Sequence, residues 1–220
     1  MRKTDSVTLT QILLLAAIAA ITIFGLIEIP ALTALPVHWN VRGEVDAYWQ
    51  RNYALAVPPC VALATMLLNI LVAHRRAAAN GRHIARAAIT ASLIICLAIQ
   101  SGIVMTALDR NIDMPQIVTL AVALLLALVG NAMPKSRANA FAGLRLPWTM
   151  RDAAIWQAAH RIAGKLMIQF AVVLAVLTFL LPTGPWLVTA LLICVLIPLL
   201  AASVISYRLS RHPELLKKSP

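Results

Sequence analysis

The sequence predicts an all-α, polytopic integral membrane protein with six transmembrane helices and both termini on the cytoplasmic side. Three observations predict it: the balance of apolar and charged residues, six uncharged segments long enough to cross lipid, and the uneven share of lysine and arginine between them. Of the 220 residues, 61% are hydrophobic and 12% are charged. A soluble domain carries roughly 45–50% apolar and about 25% charged residues, so most of this chain is solvated by lipid.

A hydrocarbon layer about 30 Å thick asks for roughly 20 predominantly apolar residues per helix. Stretches close to that length run over Val7–Ile29, Tyr53–Ala73, Ala87–Leu108, Pro115–Ala132, Gly164–Leu181 and Trp186–Tyr207. No Asp, Glu, Lys or Arg stands in mid-span, where each would cost about 2.5–3.5 kcal/mol. Gln100 and Gln169 are the strongly polar residues there, and both read as helix-to-helix hydrogen-bond contacts rather than transport sites. Arg2 and Lys3 ahead of an apolar run also suit a signal peptide. The run exceeds a typical core of about 7–15 residues, so an uncleaved first helix is expected.

Orientation follows from the basic residues. Sixteen fall on one side: Arg2 and Lys3; Arg75, Arg76, Arg82 and Arg86; Lys135, Arg137, Arg145, Arg151, Arg161 and Lys165; and Arg208, Arg211, Lys217 and Lys218. The alternate connections hold only three, Arg42, Arg51 and Arg110, so the positive-inside rule puts the basic side in the cytoplasm. Glu28, Glu44, Asp46, Asp109 and Asp113 fall outside. The net charge of +11 is thus spread between spans instead of forming an arm or aromatic-interleaved patch, which argues against direct nucleic-acid binding and for membrane lipid as a partner. Cys60, Cys96 and Cys194 lie singly inside apolar runs and read as small core residues, with neither a disulfide framework nor a zinc cluster. Three segments result: 1–74, a first helix pair with an outer polar loop; 75–132, a middle pair; and 133–220, an inner loop with an amphipathic helix, the final pair and the tail.

Two connections carry unusual polar residues. The outer one, Pro30 to Asn52, holds two prolines that favour extended backbone, a turn-permitting Gly43, and Trp39, Tyr48, Trp49 and Tyr53 suited to the headgroup zone. It reads either as an interfacial loop anchored by aromatics or as a polar cluster in which His38, Asn40, Glu44 and Asp46 take a ligand. His38, Glu44 and Asp46 have the chemistry of weak metal candidates, but their spacing matches no zinc or calcium motif, and no cofactor is implied. The inner connection, Met133 to Gly164, begins irregularly around Pro134, Gly143 and Pro147. A helix is then expected from an N-cap at Thr149, with Asp152 in its first turn. Asp152, Trp156 and His160 share one face by their spacing of four, and Arg161 and Lys165 another. It reads as an amphipathic helix on anionic lipid or as a partner-binding surface.

The segment from Val129 to Leu166 resembles the signature of the SdpI family, immunity and signalling membrane proteins of a secreted killing-factor system. It carries, in order, GN-x-MPK, N-x-F-x-G-x-R-x-PW-T and W-x-x-x-HR-x-x-GK. The outer loop is similar to the family's second hallmark, P-x-HWN-x-x-GE-x-D, at Pro36, His38, Trp39, Asn40, Gly43, Glu44 and Asp46. Ala132, Ala138, Ala140 and Ala142 stand where the family more often has bulkier residues or proline, and Leu146 where threonine is common, a departure that bears on the partner surface. The resemblance implies a protein of the bacterial cytoplasmic (inner) membrane that senses or neutralises a secreted toxic peptide and captures a cytoplasmic repressor. His38, Trp39, Asn40, Gly43, Glu44 and Asp46 are then the outer ligand-binding candidates. The candidates for the cytoplasmic partner are Asn131, Pro134, Lys135, Asn139, Gly143, Arg145, Pro147, Trp148, Trp156, His160, Arg161 and Lys165. A membrane-embedded enzyme using His38 with Glu44 and Asp46, or His160 with Asp152, is the alternative, and a transporter a further one. No HExxH, nucleophile elbow or nucleotide-binding glycine loop is present, so no catalytic residue is assigned.

Overall fold

A computed structural model describes residues 7–73, 76–212 and 214; Arg2, Lys3, Arg75, Lys217 and Lys218 lie outside them, as does the expected boundary between 74 and 75. Among the described residues six helices are long and apolar enough to cross a membrane, and the chain is a multi-pass membrane protein. They are α1 (Leu9–Glu28), α2 (Arg51–Ala73), α3 (Arg82–Ala107), α4 (Met114–Ala132), α6 (Ala153–Leu180) and α7 (Pro185–Arg211). A 3₁₀ turn, Arg76–Gly81, leads into α3, another, Met133–Lys135, follows α4, and the short α5 (Pro147–Arg151) precedes α6. Large apolar side chains such as Leu13, Ile27, Leu63, Phe179 and Leu200 face outward, as lipid-facing residues must.

Local chemistry sets the ends of the helices. Thr8 caps α1 reciprocally, its hydroxyl accepting from the Gln11 amide at 3.3 Å while the Gln11 side chain accepts from the Thr8 amide at 3.0 Å. Arg51 donates to the carbonyls of Leu26 and Ile29, closing the carbonyl end of α1. Asp113 caps α4 by accepting from the Gln116 amide at 3.0 Å, with Pro115 in the first turn.

The helices pack as two trios joined by α3 against α4. In the first, Ile18, Ala62, Met66, Leu93 and Cys96 fill the space between α1, α2 and α3. Here Gln100 is fully buried and donates to the Thr22 hydroxyl at 2.9 Å and the Leu55 carbonyl at 3.2 Å, the helix-to-helix contact expected of it. In the second, α4, α6 and α7 enclose Ala123, Leu126, Ala163, Met167, Leu174 and Cys194. Two glycines set the α4–α6 crossing: a Cβ on Gly164 would come 2.5 Å from the Gly130 carbonyl oxygen.

The structure departs from the sequence reading in several places. The outer connection contains an antiparallel hairpin, β1 (Ala34–Trp39) and β2 (Val45–Gln50), that was expected as loop. Pro36 sits in a strand paired on one side only, where its missing N–H costs no ladder bond, and irregular register near His38 obscures the alternation. The separate amphipathic helix is also absent. Its residues form the first turns of α6, a single helix of 28 residues and so about 42 Å long, well beyond the hydrocarbon. Asp152, not Thr149, is its N-cap, accepting from the amides of Ala154 and Ile155. Pro147 starts α5 earlier, leaving Thr149 buried inside that turn with its hydroxyl on the Leu144 carbonyl at 2.7 Å. Gln169 is exposed on α6 rather than between helices, and Cys60 is exposed, whereas Cys96 and Cys194 are buried as expected.

Because the α4–α6 approach has no room for a Cβ, Gly164→Val lowers stability by about 1–3 kcal/mol, the usual cost of overpacking. Thermal unfolding in detergent checks this, with Gln169→Leu on the exposed face of the same helix expected within about 0.5 kcal/mol of the parent.

Candidate functional site: two ordered ends of the bundle

At one end lies the hairpin. Asn40 builds its turn: the side-chain oxygen accepts from the amides of Arg42 at 2.8 Å and Glu44 at 3.1 Å, and its NH₂ donates to Glu44 Oε2 at 3.0 Å. Gly43 takes φ +82°, and a Cβ there would come 2.5 Å from Thr183 Cγ2, so the tip rests on the α6–α7 connection. Thr183 in turn donates to Asp113, tying that connection to the start of α4. Beneath the tip is a small, mainly apolar cavity of about 110 Å³ lined by residues including Asn40, Val41, Pro115, Thr119 and Leu187.

His38 and Asp46 face each other across the strands at 2.5 Å, both well exposed. Glu44 is engaged by Asn40 and by Arg42 Nε at 3.3 Å and does not join them. Among the described residues no group of three His, Cys, Asp or Glu side chains is placed to hold a metal, so His38, Glu44 and Asp46 are not brought together as a ligand set. Trp39, half-buried, pairs with Val45 at the base of the turn. Of the six outer candidates, Asn40, Gly43 and Glu44 shape the turn, while His38 and Asp46 present polar atoms to solvent.

At the opposite end the linker between α4 and α6 is pinned to the first turns of α6. Both His160 nitrogens are used: Nδ1 bonds the Trp156 carbonyl at 2.8 Å, and Nε2 accepts from the Leu144 amide at 3.0 Å. That pattern fixes the neutral tautomer with its proton on Nδ1. Trp156 stacks on His160 with ring centroids 4.0 Å apart, and its indole N–H reaches Ser136. Gly143 at φ +115° packs directly on this pair, leaving no space for a Cβ. Asn139 organises the segment before it, accepting from the amides of Phe141 and Ala142 at 2.8 Å each. Gln157 donates to the Pro134 carbonyl at 2.6 Å.

The linker also binds the 3₁₀ turn ahead of α3, through the Arg137 amide on the Asn80 carbonyl at 3.1 Å and the Asn80 side chain on the Ala138 carbonyl at 3.2 Å. Trp148 anchors the other flank, donating to Ser206 at 3.0 Å and meeting Tyr207 edge-on at 5.0 Å. Beside it opens a cleft of about 320 Å³ lined by Trp148, Arg151, Asp152, Tyr207 and Arg211, among others.

The partner candidates divide accordingly. Asn139, Trp156 and His160 are buried and hold the linker in shape. Gly143 belongs with them, and Pro134 and Trp148 are half-buried. Asn131, Lys135, Arg145, Pro147, Arg161 and Lys165 are exposed. Nor does the structure pair His160 with Asp152 for acid–base work: the carboxylate caps α6, and both ring nitrogens are held by backbone. Ser136, Asn80 and Ser206, which complete the site, carry no motif signal in the sequence.

The model of the SdpI/YfhL protein family matches residues 135–206, from the end of the 3₁₀ turn after α4 through the linker, α5, α6 and most of α7. A curated protein, Immunity protein SdpI of Bacillus subtilis (strain 168), is 30% identical over 115 residues, covering 52% of this chain and 55% of that protein. Residues 135–206 are thus similar to the SdpI/YfhL family. The match spans about half the length of the SdpI relative, and no solved structure matches. The SdpI/YfhL region is thus the pinned linker together with the helices that hold it.

Removing the imidazole leaves the Leu144 N–H without its acceptor and opens a cavity beneath Gly143. His160→Ala is therefore expected to cost about 2–4 kcal/mol, and Arg161→Ala, its exposed neighbour, within about 0.5 kcal/mol. Thermal unfolding in detergent, with limited proteolysis at Arg145 as a local readout, checks both.

Proposed function

We propose that this chain is an immunity and signalling protein of a bacterial cytoplasmic membrane, with both termini in the cytoplasm. The outer hairpin meets a secreted toxic peptide, and the pinned inner linker engages a cytoplasmic regulator of transcription. The observation that carries this reading is the coincidence of the SdpI/YfhL region with an ordered platform at the basic end, which displays Arg145, Arg161 and Lys165. Orientation rests on sixteen basic residues against three between the two sides. The similarity to a protein named as an immunity protein supports the protective role.

The two ends then have separable tasks. The exposed His38–Asp46 pair offers a donor and acceptors to an extended peptide that lies along the hairpin, whose outer strand edges carry unpaired backbone groups. The linker surface, cationic and rimmed by Trp148 and Pro147, suits an acidic protein face. Coupling the ends requires a ligand that prefers one arrangement of the bundle, and α7, with Leu187 under the hairpin tip and Ser206 bonded to Trp148, reaches both.

Expression in a host sensitive to a secreted killing peptide is expected to raise survival. The double variant His38→Ala, Asp46→Asn weakens protection about tenfold, as loss of roughly 1.4 kcal/mol of peptide binding would. Arg145→Ala with Arg161→Ala spares protection and abolishes recruitment of the regulator to the membrane fraction. Unchanged survival together with no recruited cytoplasmic protein would overturn the proposal.

A further inference from the structure

At the basic end, apart from the His160 contacts, lies a cleft of about 350 Å³ lined by Ala79, Asn80, Arg82, His83, Lys135 and Arg137. Two distant stretches of sequence meet here, the turn that opens α3 and the residues that follow α4. Their cationic groups converge because backbone bonds force them to: Arg137 N–H on the Asn80 carbonyl, and the Asn80 amide on the Ala138 carbonyl. Among the described residues, three permanent cations and an imidazole line the cleft and no carboxylate does. Arg86 adds its field to that of Arg82 and Lys135 at His83. Lys135 and Arg137, brought beside His83 by these bonds, supply N–H donors of the kind that form charge-assisted hydrogen bonds with a phosphate.

Position identifies the anion's source. Arg82 is the first residue of α3, and Lys135 closes the apolar stretch of α4, so the cleft stands at the level where hydrocarbon gives way to headgroups. Arg82, His83, Lys135 and Arg137 are all exposed at that level. Basic clefts between transmembrane helices at this depth take acidic headgroups, with roughly 1 kcal/mol per Lys or Arg near an anionic surface. We propose that this cleft binds the phosphate of an anionic phospholipid headgroup. It thereby anchors the linker to the bilayer. The site is independent of the immunity role, and neither stands or falls with the other.

Native mass spectrometry of the full chain in detergent, titrated with phosphatidylglycerol, phosphatidylcholine and inorganic phosphate, tests it. Phosphatidylglycerol is expected to bind preferentially, and Lys135→Gln with Arg137→Gln to weaken it about 30-fold, two lost charges at the stated value each. The charge-preserving pair Lys135→Arg, Arg137→Lys keeps the affinity, and Arg151→Gln with Arg208→Gln, basic residues outside the cleft, leaves it unchanged. If the double glutamine variant does not fold, the single variant Arg137→Gln, at an exposed linker position, is read instead and weakens binding about fivefold. Equal binding of phosphatidylcholine, or of inorganic phosphate as tightly as lipid, overturns the proposal. So does undiminished phosphatidylglycerol binding by the glutamine variants, or displacement of the lipid by an acidic peptide with no loss in those variants.

Discussion

Inside hydrocarbon every backbone N–H and C=O must find its partner within the helix that carries it, and the rest of this structure depends on that constraint. Irregular backbone is confined to the two ends of the bundle, and there each loop is tied down by a specific polar group. Arg51 closes α1, Asn40 closes the hairpin, Thr183 and Asp113 join two outer connections, and His160 takes up the Leu144 amide. Deep within the bundle Gln100 donates its amide across to α1 and α2, and its oxygen has no partner among the described residues. Side chains small enough to let backbones touch, above all Gly130 and Gly164, then bring α4 and α6 into register.

The stretch that resembles the SdpI/YfhL family has a physical meaning in this light. Its tryptophan, histidine and glycine are a lock: Gly143 leaves room for the imidazole, the imidazole holds Leu144, and Trp156 stacks beneath and reaches back to Ser136. Such residues face inward and fix the geometry of a surface that others display. Arg145, Arg161 and Lys165 are the exposed side chains of that surface. The same division holds at the hairpin, where Asn40 and Gly43 shape and His38 and Asp46 present.

The spans and their charge asymmetry were legible because both are summed over many residues. Length and hydropathy average out local exceptions, and Gln100 was readable as a contact because an amide so deep in lipid has few alternatives. The misreadings concern single residues. Whether an isolated Gln169 or Cys60 faces a neighbour or lipid depends on helix rotation, which hydropathy in an all-apolar segment does not encode. The break expected between the amphipathic stretch and the fifth span is missing because Gly164, a breaker by propensity, is here the point of contact with α4. The hairpin was hidden because Pro30, Pro36 and Gly43 carry the punctuation of a loop, and because six-residue strands with a bulge give too few alternating positions to recognise. The ties from Asn80, Thr183 and Ser206 were invisible, since each is an ordinary polar residue whose partner is more than 50 positions away.

Opposed placement of the hairpin and the pinned linker underlies the whole account, and site-specific labelling tests it most directly. In a Cys60→Ala background, with Cys96 and Cys194 buried, a membrane-impermeant maleimide is applied to spheroplasts carrying Arg42→Cys or Arg145→Cys. The account predicts modification at position 42 in intact spheroplasts and at position 145 only after permeabilisation. Labelling of both positions from the same side, or of position 145 alone from outside, would contradict it.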